Sequence, residues 1–353
     1  MVYKTSELFL FIFILLILAS CQKEETEFRP LPLPQNAQFL DTYLIKQGWL
    51  QTDLKDNKEV YLSESIGLWM QYLLLIDDKQ RFEEQVEILR AHFITENSLI
   101  SWRYADGKAS QTNALIDDFR IMVALNNASE MWNKKQYKKL ATAIGKSIVA
   151  FQLKRDTFID FYDEVTSNNS LTLSYLDPAA ISFLQQEKIL TADQATVNMN
   201  LLKEIPMQGG WYAQRFYPLE QRFEFNQEIN LIDQYYIAYH RTLVNLPIDE
   251  MIIFTKQMLA QHGKLYGRMM ADTKQFTVNY ESPAVYALAY MAMERAGEQK
   301  LARQLLRNME QLKVKDKESK YYGGFIDLST RRTHFFDNVL PLIAEAGTNN
   351  AKY

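Results

Sequence analysis

Apolar residues recur at helical spacing along most of this chain. Between residues 63 and 76 they fall at Ile66, Trp69, Met70, Leu73 and Leu74, the spacing of one buried helix face. The stretch 81–93 sets Phe82, Val86, Ile88 and Leu89 among charges and reads as an amphipathic partner. The same couple, apolar first and charged second, returns at 117–126 with 134–153, at 177–187 with 192–205, at 231–244 with 248–262 and at 281–297 with 298–312. A last apolar helix covers 337–346, and a segment around 37–47 can pair with it. A helix that is hydrophobic nearly all round belongs inside; an amphipathic one belongs outside. Six such couples predict an all-α protein, an (α/α)6 barrel or six-hairpin toroid. A helical solenoid is the competing architecture, but the period is irregular and no capping repeats are visible.

Short aromatic pieces with Gly precede the apolar helices, at 101–107, 158–162, 209–212, 265–268 and 322–325. They predict small β-hairpins at one mouth of the barrel. Each runs through a polar turn to an acid at a helix start: Asp117 and Asp118, Asp177, Asp233, Glu281 and Asp337. Glu64 holds the same place on the first inner helix, behind Ser63. Acids favour helix N-termini for ordinary reasons. However, the N-termini of one barrel all point to one end, so these carboxylates would cluster and raise each other's pKa values. Hydrolysis of a glycosidic bond needs one protonated and one ionised carboxyl group. Trp102, Tyr104, Trp211, Tyr212 and Tyr280 are the aromatic candidates for stacking on sugar rings, although hairpin core is the commoner use of such residues. Aromatics reach 13% of the chain, with 20 Tyr and 20 Phe.

The ends carry different information. Residues 8–18 form an apolar run too short to span a bilayer as a mature helix, followed by Leu18-Ala19-Ser20-Cys21. That pattern resembles a lipobox and predicts a signal peptide over 1–20, with Cys21 carrying a lipid. Residues 21–37, charged and then Pro-rich, read as a tether. Residues 38–348 read as the catalytic domain, with no second linker. Cys21 is the only Cys, so no intrachain disulfide is possible. The expected place is extracytoplasmic, lipid-anchored to the cell membrane.

The chain has 353 residues, with 39 basic and 43 acidic side chains and a net charge of −4. That balance excludes the basic stripe a nucleic-acid partner requires. The four His residues, His92, His240, His262 and His334, lack metal-ligand spacing. Gly209-Gly210 and Gly323-Gly324 lack the context of a phosphate loop, and no Gly-x-Ser-x-Gly elbow occurs. No metal and no cofactor are expected, and a monomer is expected.

Three segments resemble glycoside hydrolase family 8, which includes bacterial endoglucanases and the cellulases of cellulose-secretion operons. Ser63-Glu64-Ser65-Ile66-Gly67 is similar to the family's Ser-Glu-Gly/Ser-x-Gly. Trp102 to Gly107, with 113–121, resembles its tryptophan, Asp-Gly turn and Ser-Ala-Thr-Asp-x-Asp-x-x-Ile, the second Asp falling on Asp118 and the first on Ile116. Residues 279–286 resemble its Tyr-Asp-Ala-x-Arg-Val-Tyr/Pro, with Glu281 for Asp and Ala284 for Arg. The resemblance implies Glu64 as general acid, Glu281 as general base and Asp118 holding the distorted sugar; beside it, Asp117 and the aromatics Trp102, Tyr104, Trp211 and Tyr280 stay as candidate substrate contacts read from the residues themselves. Lipoprotein members of the family accompany exopolysaccharide gene clusters. The expected activity is therefore inverting, endo-acting hydrolysis of a β-linked cell-surface polysaccharide or exopolysaccharide. A non-catalytic polysaccharide-binding barrel and an unrelated toroid enzyme, such as an unsaturated-uronate hydrolase or a lyase, are the alternatives.

Overall fold

The computed structural model describes residues 33–56 and 59–350. The expected signal peptide and the Cys21 anchor lie outside them, as does most of the tether. From residue 35 onward the described residues form one compact unit. Its helices are α1 (Gln35–Tyr43), α2 (Ser63–Leu75), α3 (Lys79–Ile88), α4 (Leu115–Met131), α5 (Lys135–Phe151), α6 (Pro178–Gln186), α7 (Ala192–Lys203), α8 (Leu231–Leu243), α9 (Asp249–His262), α10 (Pro283–Arg295), α11 (Gln299–Gln311) and α12 (Phe335–Asn350).

The even-numbered helices are the inner ring. Each packs against the next: α2 on α4, α4 on α6, α8 on α10, α10 on α12 and α12 on α2. A 3₁₀ turn at Leu173–Tyr175, just before α6, packs on α8 and completes the circle. Helix α1 packs on α12 as the sixth outer partner. The architecture is the (α/α)6 barrel. Composition separates the two rings. On α10 every residue from Ala284 to Tyr290 is buried, whereas α11 buries only Leu301, Ala302, Leu305 and Met309, one stripe.

The two mouths of the barrel differ. Inner helices pass to outer ones through tight turns closed by a left-handed residue: Asp77, Asn133, Lys188, Asn245 and Gly297. The following N–H reaches back to the helix each time, Asp78 to Leu73 (2.9 Å), Lys134 to Ser129 (3.1 Å), Ile189 to Leu184 (2.9 Å), Leu246 to Arg241 (3.0 Å) and Glu298 to Met293 (2.9 Å). This satisfies carbonyls that the helix end leaves open. Outer helices return to inner ones through long connections, and all the strands of the described residues lie there. Pairs of left-handed residues, Asp106-Gly107 and Gly209-Gly210 among them, make the two-residue turns whose twist suits a hairpin. The hairpins therefore decorate the mouth where the inner helices begin.

Local chemistry sets those beginnings. Asp177 accepts from the Ala179 N–H (2.8 Å) with Pro178 next in line, and Ser282 accepts from Val285 (3.3 Å) ahead of Pro283. Helix α4 starts at Leu115, two residues before the expected Asp117, and α12 at Phe335, two before Asp337. Helix α10 starts at Pro283, two residues after the expected Glu281, which leaves Glu281 outside the helix. The stretch expected as one helix over 81–93 ends as a π-turn at Leu89–Phe93.

Candidate active site

Three inner helices open with the same lettering: Leu115-Ile116-Asp117-Asp118, Leu231-Ile232-Asp233-Gln234 and Phe335-Phe336-Asp337-Asn338. Successive helix residues are turned by about 100°, so the third and fourth positions face different ways. The third-position acid receives a serine hydroxyl from the neighbouring inner segment each time. Ser63 donates to Asp117 (2.8 Å), Ser174 to Asp233 (2.8 Å) and Ser282 to Asp337 (2.7 Å). The fourth-position side chain holds up the mouth. Gln234 accepts from the Tyr212 N–H (2.9 Å) and donates to its carbonyl (3.1 Å). Asn338 does the same for Phe325, at 2.9 and 3.2 Å. Asp118 accepts from Asn113 (2.7 Å), whose own carbonyl oxygen accepts from the Tyr162 N–H (2.8 Å).

Glu64 follows Ser63 at the start of α2. The strand Val60–Leu62 runs straight into it, pinned to Arg103–Ala105. Burial, with Asp117 and then Asp337 nearby, pushes the Glu64 carboxyl up to about 8 despite the opposing Arg120 cation. Its surroundings therefore favour the protonated form. Asp117 is raised by burial too, against the pull of Arg120 and Ser63. Arg120 donates to Asp117 (2.8 Å) and to the Tyr236 hydroxyl (3.2 Å). Asp233 sits on α8, three inner helices from α2 and so opposite Glu64 in a ring of six. Its second oxygen accepts from Gln214 (3.1 Å), and burial raises it. Between the two sides stands Tyr175, whose hydroxyl is pushed up by burial and then by Asp160, Asp117, Asp233 and Glu64. Asp160 accepts from the Thr172 hydroxyl (2.9 Å), and burial lifts it to about 6. A carboxyl held towards its protonated form and a second carboxyl on the opposite inner helix, at the same mouth of the barrel, are able to donate one proton and accept another.

The expected residues separate. Glu64 and Asp117 share this rim. Asp118 lies behind it, fully buried, and burial raises its carboxyl well above the usual range. Glu281 accepts from Tyr286 (2.6 Å) and pairs with Lys264 (3.7 Å). It lines a hollow of about 490 Å³ with Tyr280, Asp337, Asp53, His334 and Arg332. Trp102 and Tyr280 are exposed, at 41% and 52%. Tyr104 is ringed by Trp49, His92 and Phe93. Trp211 is 2% exposed, packs on Phe254 of α9, donates to the Ala271 carbonyl (3.0 Å) and lines a separate hollow of about 540 Å³. Arg120, Tyr175 and Tyr236 were not expected here. The one sequence signal for Asp233 and Asp337 beyond their helix-start place is the repeated Leu-Ile-Asp or Phe-Phe-Asp. Among the described residues no group of three or more His, Cys, Asp or Glu is placed to hold a metal ion. No helix among them is long and apolar enough to cross a membrane.

The family model "Glycosyl hydrolases family 8" matches residues 15–208. A Bacillus subtilis (strain 168) protein named "Putative lipoprotein YdaJ" is 36% identical over 322 residues, 91% of this chain and 88% of that one. A solved structure described as a novel alpha-amylase from Clostridium perfringens superposes with a TM-score of 0.81 at 26% identity, covering 89% of this chain and 96% of the other. The endoglucanase Cel10 from Klebsiella pneumoniae superposes at 0.66 with 15% identity, over 90% and 99% of the two chains, and shares the fold.

Proposed function

The chain belongs to glycosyl hydrolases family 8, and on that premise we propose that it cuts a β-linked cell-surface polysaccharide or exopolysaccharide within the chain, by single displacement with inversion. Glu64 donates its proton to the glycosidic oxygen as the bond to the anomeric carbon breaks. Asp233, across the ring, takes a proton from the water that attacks the opposite face. The leaving sugar departs as an alcohol, and each cycle ends when Glu64 regains the proton that Asp233 gained. What supports this reading is that Glu64 and Asp233 stand at the starts of opposite inner helices, with burial favouring the protonated form of Glu64. Inversion requires carboxyls about 6.5–9.5 Å apart, with room for the water, which suits helices on opposite sides of a ring better than neighbours. We assign the base to Asp233 rather than Glu281 because Asp233 stands on the inner helix opposite Glu64, whereas Glu281 lies outside its helix and is paired with the Lys264 cation. Asp117 and Asp337 flank the acid, and exposed Trp102 and Tyr280 offer faces to sugars on either side. A lipid on Cys21 would hold the enzyme to the outer face of the membrane, in keeping with the name of the Bacillus relative.

A second reading, an α-linked glucan, is favoured by the 26% identity to the clostridial alpha-amylase. One experiment separates the readings. The detergent-solubilised full chain is incubated with carboxymethylcellulose and with soluble starch, new reducing ends are counted, and NMR records the first anomer formed. Ends from the cellulose derivative, with inverted configuration, support the first reading; ends from starch alone support the second. Removing an acid–base group costs roughly 10²–10⁴-fold, so Glu64→Gln and Asp233→Asn should each lose activity on that scale. Undiminished cleavage by Glu64→Gln would refute the assignment. Saturable retention of polymer with no new ends would mean a binding protein instead.

A further inference from the structure

Arg120 sits one helical turn below Asp117 on α4 and is almost fully buried. One of its nitrogens is 2.8 Å from Asp117, and the other donates at 3.2 Å to the Tyr236 hydroxyl on α8. The guanidinium thus ties two inner helices that are not neighbours in the ring. Its stem lies against the bare backbone of Gly67, one turn below Glu64 on α2. A Cβ at Gly67 would come within 3.0 Å of the Arg120 Cδ and 3.2 Å of its Cγ. Backbone on one side and two bonds on the other fix where the charge stands.

The three serine-bound acids are alike except in this respect. Asp233 completes its shell with Gln214, and Asp337 with the Ala284 N–H; among the described residues Asp117 alone has an ion pair. The groups that face Glu64 are Asp117 and Arg120 from α4, Asp337 from α12, Tyr236 from α8 and Tyr175 from the 3₁₀ turn. Arg120 is the one cation in that set. A buried carboxylate is tolerated when paired and hydrogen-bonded, and an unpaired one takes up a proton. Asp117 has both a hydroxyl and a guanidinium; among the described residues Glu64 has neither.

We infer that Arg120 is a positioning residue that sets how tightly the Glu64–Asp117 pair holds its protons, acting through Asp117 and never touching the sugar. The inference rests on Glu64 being the acid of the proposed reaction. Without the guanidinium, Asp117 loses its counter-ion and the pair holds its protons to higher pH. Because the two groups titrate together, both steps of the pair rise. A lysine supplies the charge but not the planar fork that serves two partners at once.

The test uses the full chain in detergent as Arg120→Met, Arg120→Lys and Gly67→Ala. The Glu64 resonance is followed by carboxyl-carbon NMR in Glu-labelled protein and identified by its loss in Glu64→Gln, which needs no substrate. In Arg120→Met it should titrate at least one pH unit higher, tenfold in proton affinity. The alkaline limb of the pH–rate profile on the polymer that is cut, where a general acid gives up its proton, should move the same way with KM unchanged. Arg120→Lys should recover part of the shift. If Arg120→Met does not fold, Gly67→Ala, which displaces the charge without removing it, should give a smaller shift in the same direction. Unchanged Glu64 titration in whichever of these variants folds overturns the inference. A wild type that cuts neither polymer while Glu64 still answers to Arg120 would defeat the functional reading and leave this one standing.

Discussion

Replacing Glu64 with Gln should remove activity and also make the fold more stable in mild alkali. In the folded protein the carboxyl titrates near 8, against 4.5 when unperturbed. Its folded value is the higher one, so the native state binds the extra proton. The stability that proton supplies is complete below pH 4.5 and is lost as pH rises towards 8. One pH unit corresponds to 1.36 kcal/mol, so the loss accumulated by pH 8 is about 4 kcal/mol. Glutamine stays neutral throughout and loses nothing. An unfolding entropy of about 2.1 cal/mol/K per residue, over roughly 310 residues, gives about 0.65 kcal/mol/K. The gap between the two proteins should therefore widen by up to about 6 °C between pH 4.5 and pH 8, and by somewhat less because Glu64 keeps some contact with solvent. Thermal unfolding followed by circular dichroism at half-unit pH steps measures it. Parallel Tm curves for the two proteins would refute the claim that Glu64 is held neutral by its surroundings.

Gly324 faces the Phe39 ring, where a Cβ would stand 2.4 Å from Cδ2; Gly324→Ala should cost about 1–3 kcal/mol by overpacking, read as a drop in Tm. Gln234→Ala should cost about 1–3 kcal/mol by stranding the buried Tyr212 N–H and carbonyl, measured by urea unfolding. Tyr280→Ala should raise KM about 2- to 10-fold with kcat nearly unchanged, on the 0.5–1.5 kcal/mol scale of an aromatic contact; an unaltered KM would take Tyr280 out of the sugar path. Cys21→Ser should shift the protein from the membrane to the aqueous phase in detergent partition, and retention in the detergent phase would argue against a lipid at that position.

The helical couples were legible because an inner helix and an outer one differ in how far round the wheel their apolar residues extend. The hairpins were legible from Asp106-Gly107 and Gly209-Gly210, whose backbone freedom has a local purpose. The site was harder. Asp117 and Asp118 are adjacent in the chain, and only the true start of α4 decides which one faces the cleft. Glu281 looked like a helix-start acid, but Ser282 takes the cap and Pro283 begins the helix, so the preceding carboxyl turns to Tyr286 and Lys264 instead. The serine partners of Asp117 and Asp233 lie 54 and 59 residues away along the chain, and no local pattern reports contacts of that reach. Arg120 was invisible for the same reason, since its meaning depends on a glycine in one helix and a tyrosine in another.

The seam of the ring joins α1 to α12, the first and last helices. Synthesis delivers α1 first, and its apolar face has no mate until α12 has been made. Sealing the torus becomes the final event of maturation, and a polypeptide released a few dozen residues too soon could not close it.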